Sequence, residues 1–242
     1  MRKIKRSSEL LWLLGILFVA LGVAICSKAD LGVSMIAAPA FVLSEKLISV
    51  SSFFTVGVTE YLIQGVLLTI LCVLVRKFDW RYLFTFAVAI IYGYTLDLFL
   101  LIFESVSFNA IWLRWLMLLV GDVMVAFGVA CFFCTYLPLQ VYELFVSETS
   151  RCFKLDLNKV KRAFDTVLLL LSVALALFLF LDIGSFDFTS LYYSSYHSIG
   201  LGTLVTTLIN AYLIKFAGII IGKIFEPTAL VPFLENTLKL GE

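Results

Sequence analysis

VALGVAICSKADLGVSMIAAPAFVLSE at residues 19–45 and VAFGVACFFCTYLPLQVYELFVSE at residues 125–148 read as one pattern written twice. In each, an apolar helix runs through a glycine, breaks at Leu31-Gly32 or Leu137-Pro138, and resumes as a short segment ending in Ser-Glu. The offset is 106 residues from Val19/Val125 to Leu31/Leu137, and the second copy is three residues shorter before its Ser-Glu. A helix interruption at corresponding places in two halves of a membrane protein is a pointer to a ligand site built at the breaks.

Composition puts those breaks in lipid. The chain is 62% hydrophobic with a mean hydropathy of +1.06, where soluble domains hold about 45–50% apolar residues. Its 242 residues leave room for about six spans of roughly 20 residues and short loops. Apolar runs place the spans near 10–27, 53–75, 80–103, 111–136, 163–182 and 199–224. Two shorter apolar pieces, 34–48 and 138–149, are too short to cross and too apolar for water, which fits half-helices that re-enter one leaflet. MRKIKR followed by an apolar run from Leu10, with no small-residue cleavage site, reads as an uncleaved first span.

Basic residues set the expected orientation. With the N-terminus in the cytoplasm, fourteen of the eighteen Lys and Arg fall on that side, Lys28, Lys46 and Arg114 fall on the other, and Lys215 sits within a span. The positive-inside rule then places both termini in the cytoplasm of a cell (inner) membrane, with 151–162 as a short amphipathic cytoplasmic linker. Three spans per half make the second copy start from the opposite side. The expected fold is therefore all-α and polytopic, with six transmembrane helices plus two re-entrant half-helices in an inverted 3+3 repeat. The first repeat covers residues 1–105, the second 106–226, and a cytoplasmic tail 227–242.

ADLGVS (29–34), IYGYTLD (91–97), LPLQVYELF (137–145) and IGLGT (199–203) together resemble the YczE/YyaS/YitT-type bacterial integral membrane proteins over nearly the whole chain. In such proteins the first break continues as Pro-Trp-Asp, where this chain has Met35, Ile36 and Ala37. The second continues as Pro-Tyr-Asp, where Val141, Tyr142 and Glu143 keep the aromatic and the acid. The resemblance implies an architecture rather than a substrate.

Charged groups inside a bilayer cost about 2.5–3.5 kcal/mol on insertion scales, so they face the interior and mark pathways or pairs. The candidate substrate-binding residues are Gly32, Ser34, Tyr94, Asp97, Gln140, Tyr142, Glu143 and Thr203. Gly32 allows close backbone approach, Ser34 suits an N-cap, and Pro138 suits a first helical turn with Gln140 just beyond it. Two helix N-termini aimed at the midplane would offer free N–H groups and positive potential to a polar ligand. Asp97, read as lying beside an irregularity at Gly93, and Glu143 would take its cationic end or a coupling proton. Tyr92, Tyr94 and Tyr142 would stack on it, or simply pack. Glu60 and Gln64, four residues apart on one helix face, and Asn210 form an expected polar network; interhelical hydrogen bonding accounts for them equally well. Asp122 and Asp165 read as interfacial, Lys215 as snorkelling to the surface, and His197 as interfacial.

The five cysteines have no metal-ligand spacing, and no metal or other cofactor is expected. Nucleophile elbows, phosphate loops and paired-His motifs are absent from the sequence, as is a basic nucleic-acid surface. The reading is a non-enzymatic secondary transporter of a small polar or zwitterionic organic solute, whose partners are the lipid bilayer and that small-molecule substrate. Proton or sodium coupling and a homodimer are compatible with it. The alternatives are a non-transporting membrane sensor or partner protein, an integral membrane enzyme acting on lipid, and a channel.

Overall fold

The computed structural model describes residues 4–76, 78–180 and 195–228. The end of the expected span 163–182, residues 183–194, the expected tail beyond residue 228, and Arg2, Lys3, Lys77 and Lys239 lie outside the described residues.

Among the described residues the chain forms eight helices: α1 (Ser8–Lys28), α2 (Ala38–Leu47), α3 (Val56–Val75), α4 (Arg81–Ile102), α5 (Ile111–Phe133), α6 (Val141–Phe153), α7 (Leu157–Phe180) and α8 (Leu201–Ile224). All but α2 and α6 are long and apolar enough to cross a membrane, which makes this a multi-pass membrane protein by length and composition. A short parallel pairing of β1 (Ile4–Ser7) with β2 (Phe225–Thr228) brings the start of α1 and the end of α8 to one face of the bundle, the terminal face. The opposite face is the distal face.

The centre is an antiparallel crossing of α1 and α5. Gly15 lies against Gly128 and Gly22 against Gly121, so the two backbones approach with no side chain between them. Farther along the crossing, the Cys26 thiol donates to the Leu118 carbonyl at 3.6 Å. Around this axis α4 packs on α1 and α8 on α5; α3 packs on α4 and α7 on α8. The short helices cross between these groups: α2 contacts α3 and α7, and α6 contacts α7 and α3.

Polar ties close both ends. On the distal face Arg114 pairs with Asp30 at 3.2 Å, the Ser195 hydroxyl donates to Asp30 at 2.8 Å, and His197 Nδ1 lies 2.8 Å from Glu45. On the terminal face Arg151 pairs with Glu148 at 2.9 Å. The expected linker 151–162 is mostly helix: α6 runs to Phe153, Lys154 turns the chain in the left-handed conformation, and α7 begins at Leu157. Lys161 is consequently a buried residue of α7, held by Asp165 one turn on at 3.2 Å, rather than a solvated loop cation.

Candidate functional site

Both breaks bring a short helix to the middle of the bundle by its N-terminal end. In the first, Leu31 and Gly32 are pinned by the start of α8: Gly202 N donates to the Leu31 carbonyl at 2.8 Å, and Val33 N to the Ser198 carbonyl at 2.9 Å. Gly32 adopts φ +105°, open to glycine and rarely to other residues. The Ser34 carbonyl then accepts from Ala37 N and Ala38 N at 3.0 and 2.9 Å to start α2. The N-cap of α2 is Ala37, with no side-chain cap, so Ser34 does not cap it as its residue type suggested. In the second break Pro138 precedes the helix instead of opening it, and its carbonyl accepts from Trp12 Nε1 at 2.9 Å. Gln140 is the N-cap of α6, and its side chain makes no cap bond.

Between these ends lies a cavity of about 10 Å³, room for roughly one water molecule. Val19 and Val23 of α1, Ser34, Ile36 and Ala37 of the first break, and Glu60 of α3 line one part of it. Tyr92 of α4, Val125 and Val129 of α5, and Gln140, Tyr142 and Glu143 of the second break line the rest. Ten of these twelve residues form five pairs offset by 106: Val19/Val125, Val23/Val129, Ser34/Gln140, Ile36/Tyr142 and Ala37/Glu143. The offset that the sequence carries as far as Leu31/Leu137 thus continues through the breaks to Ala37/Glu143. Glu60 and Tyr92 stand outside the pairing.

The cavity is polar and undersatisfied. Glu60, Ser34, Tyr142, Glu143 and Gln140 are all buried. Both Glu60 oxygens, Glu143 Oε2, Gln140 Nε2 and the Tyr142 hydroxyl make no hydrogen bond among the described residues. The Tyr142 hydroxyl and the Gln64 amide nevertheless lie close enough to Glu60 to interact with it. Such groups normally find partners in a protein interior, which makes this cluster the candidate site.

The other expected site residues lie elsewhere. Tyr94 is 63% exposed on the outer side of α4, with its ring 6.4 Å from that of Tyr61. Asp97 accepts from the Thr55 hydroxyl at 2.6 Å and from Gly57 N at 2.8 Å, so it fastens the start of α3 toward the distal face. Gly93 marks no irregularity in α4; it is where α4 touches Gly57 of α3. Thr203 is buried against Gly32, and its hydroxyl accepts from Gly200 N at 3.3 Å. Gly32 and Thr203 therefore lock the first break to α8 and do not line the cavity. Gln64 is buried one turn from Glu60, also off the lining, and Asn210 is buried in α8 without a hydrogen bond among the described residues.

Over residues 4–218 the sequence matches the family described as a family of unknown function, DUF6198. The chain belongs to the DUF6198 family. No curated protein and no solved structure matches it. The DUF6198 match carries no substrate and does not bear on the resemblance to the YczE/YyaS/YitT-type proteins, so the chemistry of this member rests on its own cavity.

Proposed function

We propose that the protein is a secondary transporter of a small polar or zwitterionic organic solute, held between two inverted repeats near the bilayer midplane. The observation that carries this reading is the cavity. It lies where the two breaks come together, its walls come in pairs offset by 106 residues, and it gathers the buried polar groups of Glu60, Gln140, Tyr142 and Glu143.

The inverted repeat itself is supported by helix contacts. Exchanging α1–α4 for α5–α8 turns each named contact into another: α1 on α4 into α5 on α8, α2 on α7 into α6 on α3. The central glycines follow the same exchange. Gly15 and Gly121 are offset by 106, as are Gly22 and Gly128, and the contact Gly15–Gly128 becomes Gly121–Gly22. A twofold axis lying in the membrane plane produces this pattern, with α2 and α6 as re-entrant half-helices from opposite leaflets. The distribution of basic residues supports a cell membrane with both termini cytoplasmic.

A cavity of about 10 Å³ is too small for an organic solute, so this arrangement corresponds to a closed state. Rocking one half against the other at the α1–α5 crossing would open it to either face in turn. The test is flux into proteoliposomes carrying the purified protein, over a panel of polar metabolites. Saturable uptake that falls severalfold or more in Glu143→Gln is expected. Absence of binding and flux across the panel removes the transporter reading.

A further inference from the structure

The buried charges along the bundle interior do not balance. Glu60 and Glu143 line the cavity, and no lining residue is basic. Behind the cavity the series continues: Glu143 interacts with Lys161 and Asp165, Asp165 pairs with Lys161 at 3.2 Å, and Asp122 interacts with Asp165. All four acids are buried, and the series contains a single buried base, Lys161. Fully ionised, it lacks three positive charges.

A low-dielectric interior does not sustain such a deficit: an isolated buried carboxylate takes up a proton or acquires a cation. Acids alone do not make a site. Here two of them, Glu60 and Glu143, line one cavity together with Gln140, whose Nε2 is buried without a hydrogen bond among the described residues, and with Tyr142, whose hydroxyl interacts with Glu60. Tyr92 and Tyr142 supply aromatic walls, and tyrosine rings attract cations. An anion entering this space would meet Glu60 and Glu143 with no base on the lining.

We propose that the solute held between the two short helices is a small amine or ammonium cation, and that it displaces a proton from the buried carboxylates as it binds. This rests on the transporter reading and names its substrate class and its coupling. In the empty closed state three protons shared among the four acids offset the deficit that Lys161 leaves; when the singly charged cation enters, it replaces one of them, and that proton leaves to the aqueous side then open. Each half-cycle carries either the cation or a proton, which makes the device an exchanger. The groups facing the two acids are Tyr92 of α4, Tyr142 of α6, and Lys161 and Asp165 of α7, with Asp122 of α5 behind Asp165.

Titration calorimetry on the purified full-length protein, run at one pH in two buffers of different ionisation enthalpy, tests this with methylammonium, choline, glycine betaine and glycerol as probes. The expected result is binding of methylammonium or choline with release of protons to the buffer, and affinity lowered about tenfold or more in Glu60→Gln. Cation binding without proton release, or binding of glycine betaine or glycerol alone, overturns the proposal and leaves the transporter standing. Absence of binding by every probe, with no flux in vesicles over the wider panel of polar metabolites, overturns both. Should Glu60→Gln fail to purify as a monodisperse species, the two-buffer measurement on the unmodified protein decides by itself.

Discussion

A β-carbon added to Gly22 would lie 2.5 Å from the Gly121 carbonyl oxygen, and one added to Gly121 would lie 2.7 Å from the Gly22 carbonyl oxygen. At Gly121 the Cys26 Sγ lies closer still, at 2.6 Å, but at both positions backbone that no rotamer change can clear lies within 2.7 Å. Gly22→Ala or Gly121→Ala must therefore push α1 and α5 apart, which costs about 1–3 kcal/mol by the usual penalty for overpacking. Gly218→Ala is the control, because nothing lies within 4 Å of a β-carbon there; it should be neutral or stabilise by up to about 1 kcal/mol through helix propensity. Thermal unfolding of the variants in one detergent measures the difference. Equal stability of Gly22→Ala and Gly218→Ala would mean that the central crossing is looser than this geometry.

Asp97 separates a structural acid from a functional one. Its carboxylate holds the Thr55 hydroxyl and Gly57 N at the start of α3, the work of a helix cap. Asp97→Ala should cost about 1–2 kcal/mol of stability, as loss of a cap does, and leave ligand affinity unchanged in the folded protein. Glu143→Gln should do the reverse. Binding lost in Asp97→Ala at unchanged stability would return Asp97 to the site.

That contrast also shows what the sequence could and could not carry. Six spans were legible because each is a local run of apolar residues about as long as a bilayer is thick. The two short helices were legible because a 10-residue and a 13-residue helix cannot cross and yet are apolar. Ser34, Gln140, Tyr142 and Glu143 were legible because they follow the breaks, and Glu60 because its four-residue spacing from Gln64 made an inward face. The place of Asp97 is not legible because its partners lie 42 and 40 residues away at the start of another helix, a relation no local pattern records. Tyr92 and Tyr94 part company because two residues along a helix turn a side chain by about 200°, which leaves Tyr92 inside and Tyr94 outside. The expected linker 151–162 is too long because the break between α6 and α7 is only three residues, 154–156, which leaves Lys161 inside a helix.

Gly32 makes a conditional prediction. Its φ of +105° disfavours any side chain, and a β-carbon there would run into the Thr203 hydroxyl and lie 2.6 Å from Gly200 N. Gly32→Ala thus meets two obstacles, backbone strain of about 1–3 kcal/mol and a collision with α8. Thr203→Ala alone should lose about 0.5–1.5 kcal/mol with its hydrogen bond to Gly200 N. Combined, the two changes should be less harmful than their sum, because removing the hydroxyl relieves part of the collision while the strain persists. Strict additivity in thermal unfolding would show that Thr203 does not press on the first break.

The Lys161–Asp165 pair should respond unequally to losing either member. Its 3.2 Å contact is buried on both sides, and breaking such a pair by removing one partner costs about 3–5 kcal/mol, mainly for the charge left behind. Lys161 also attracts Glu143, so Lys161→Met strands two carboxylates, whereas Asp165→Asn leaves the ammonium with Glu143 as a partner. Lys161→Met should therefore be the more damaging change, and Lys161→Met with Asp165→Leu should recover much of the loss. The ordering follows from the charge deficit of the interior: removing the lysine deepens it by one, while removing Asp165 reduces it by one. Unfolding of the three variants at one pH checks the ordering. A more damaging Asp165→Asn would place the stabilising role of this residue outside its charge, in contacts with the surrounding helices.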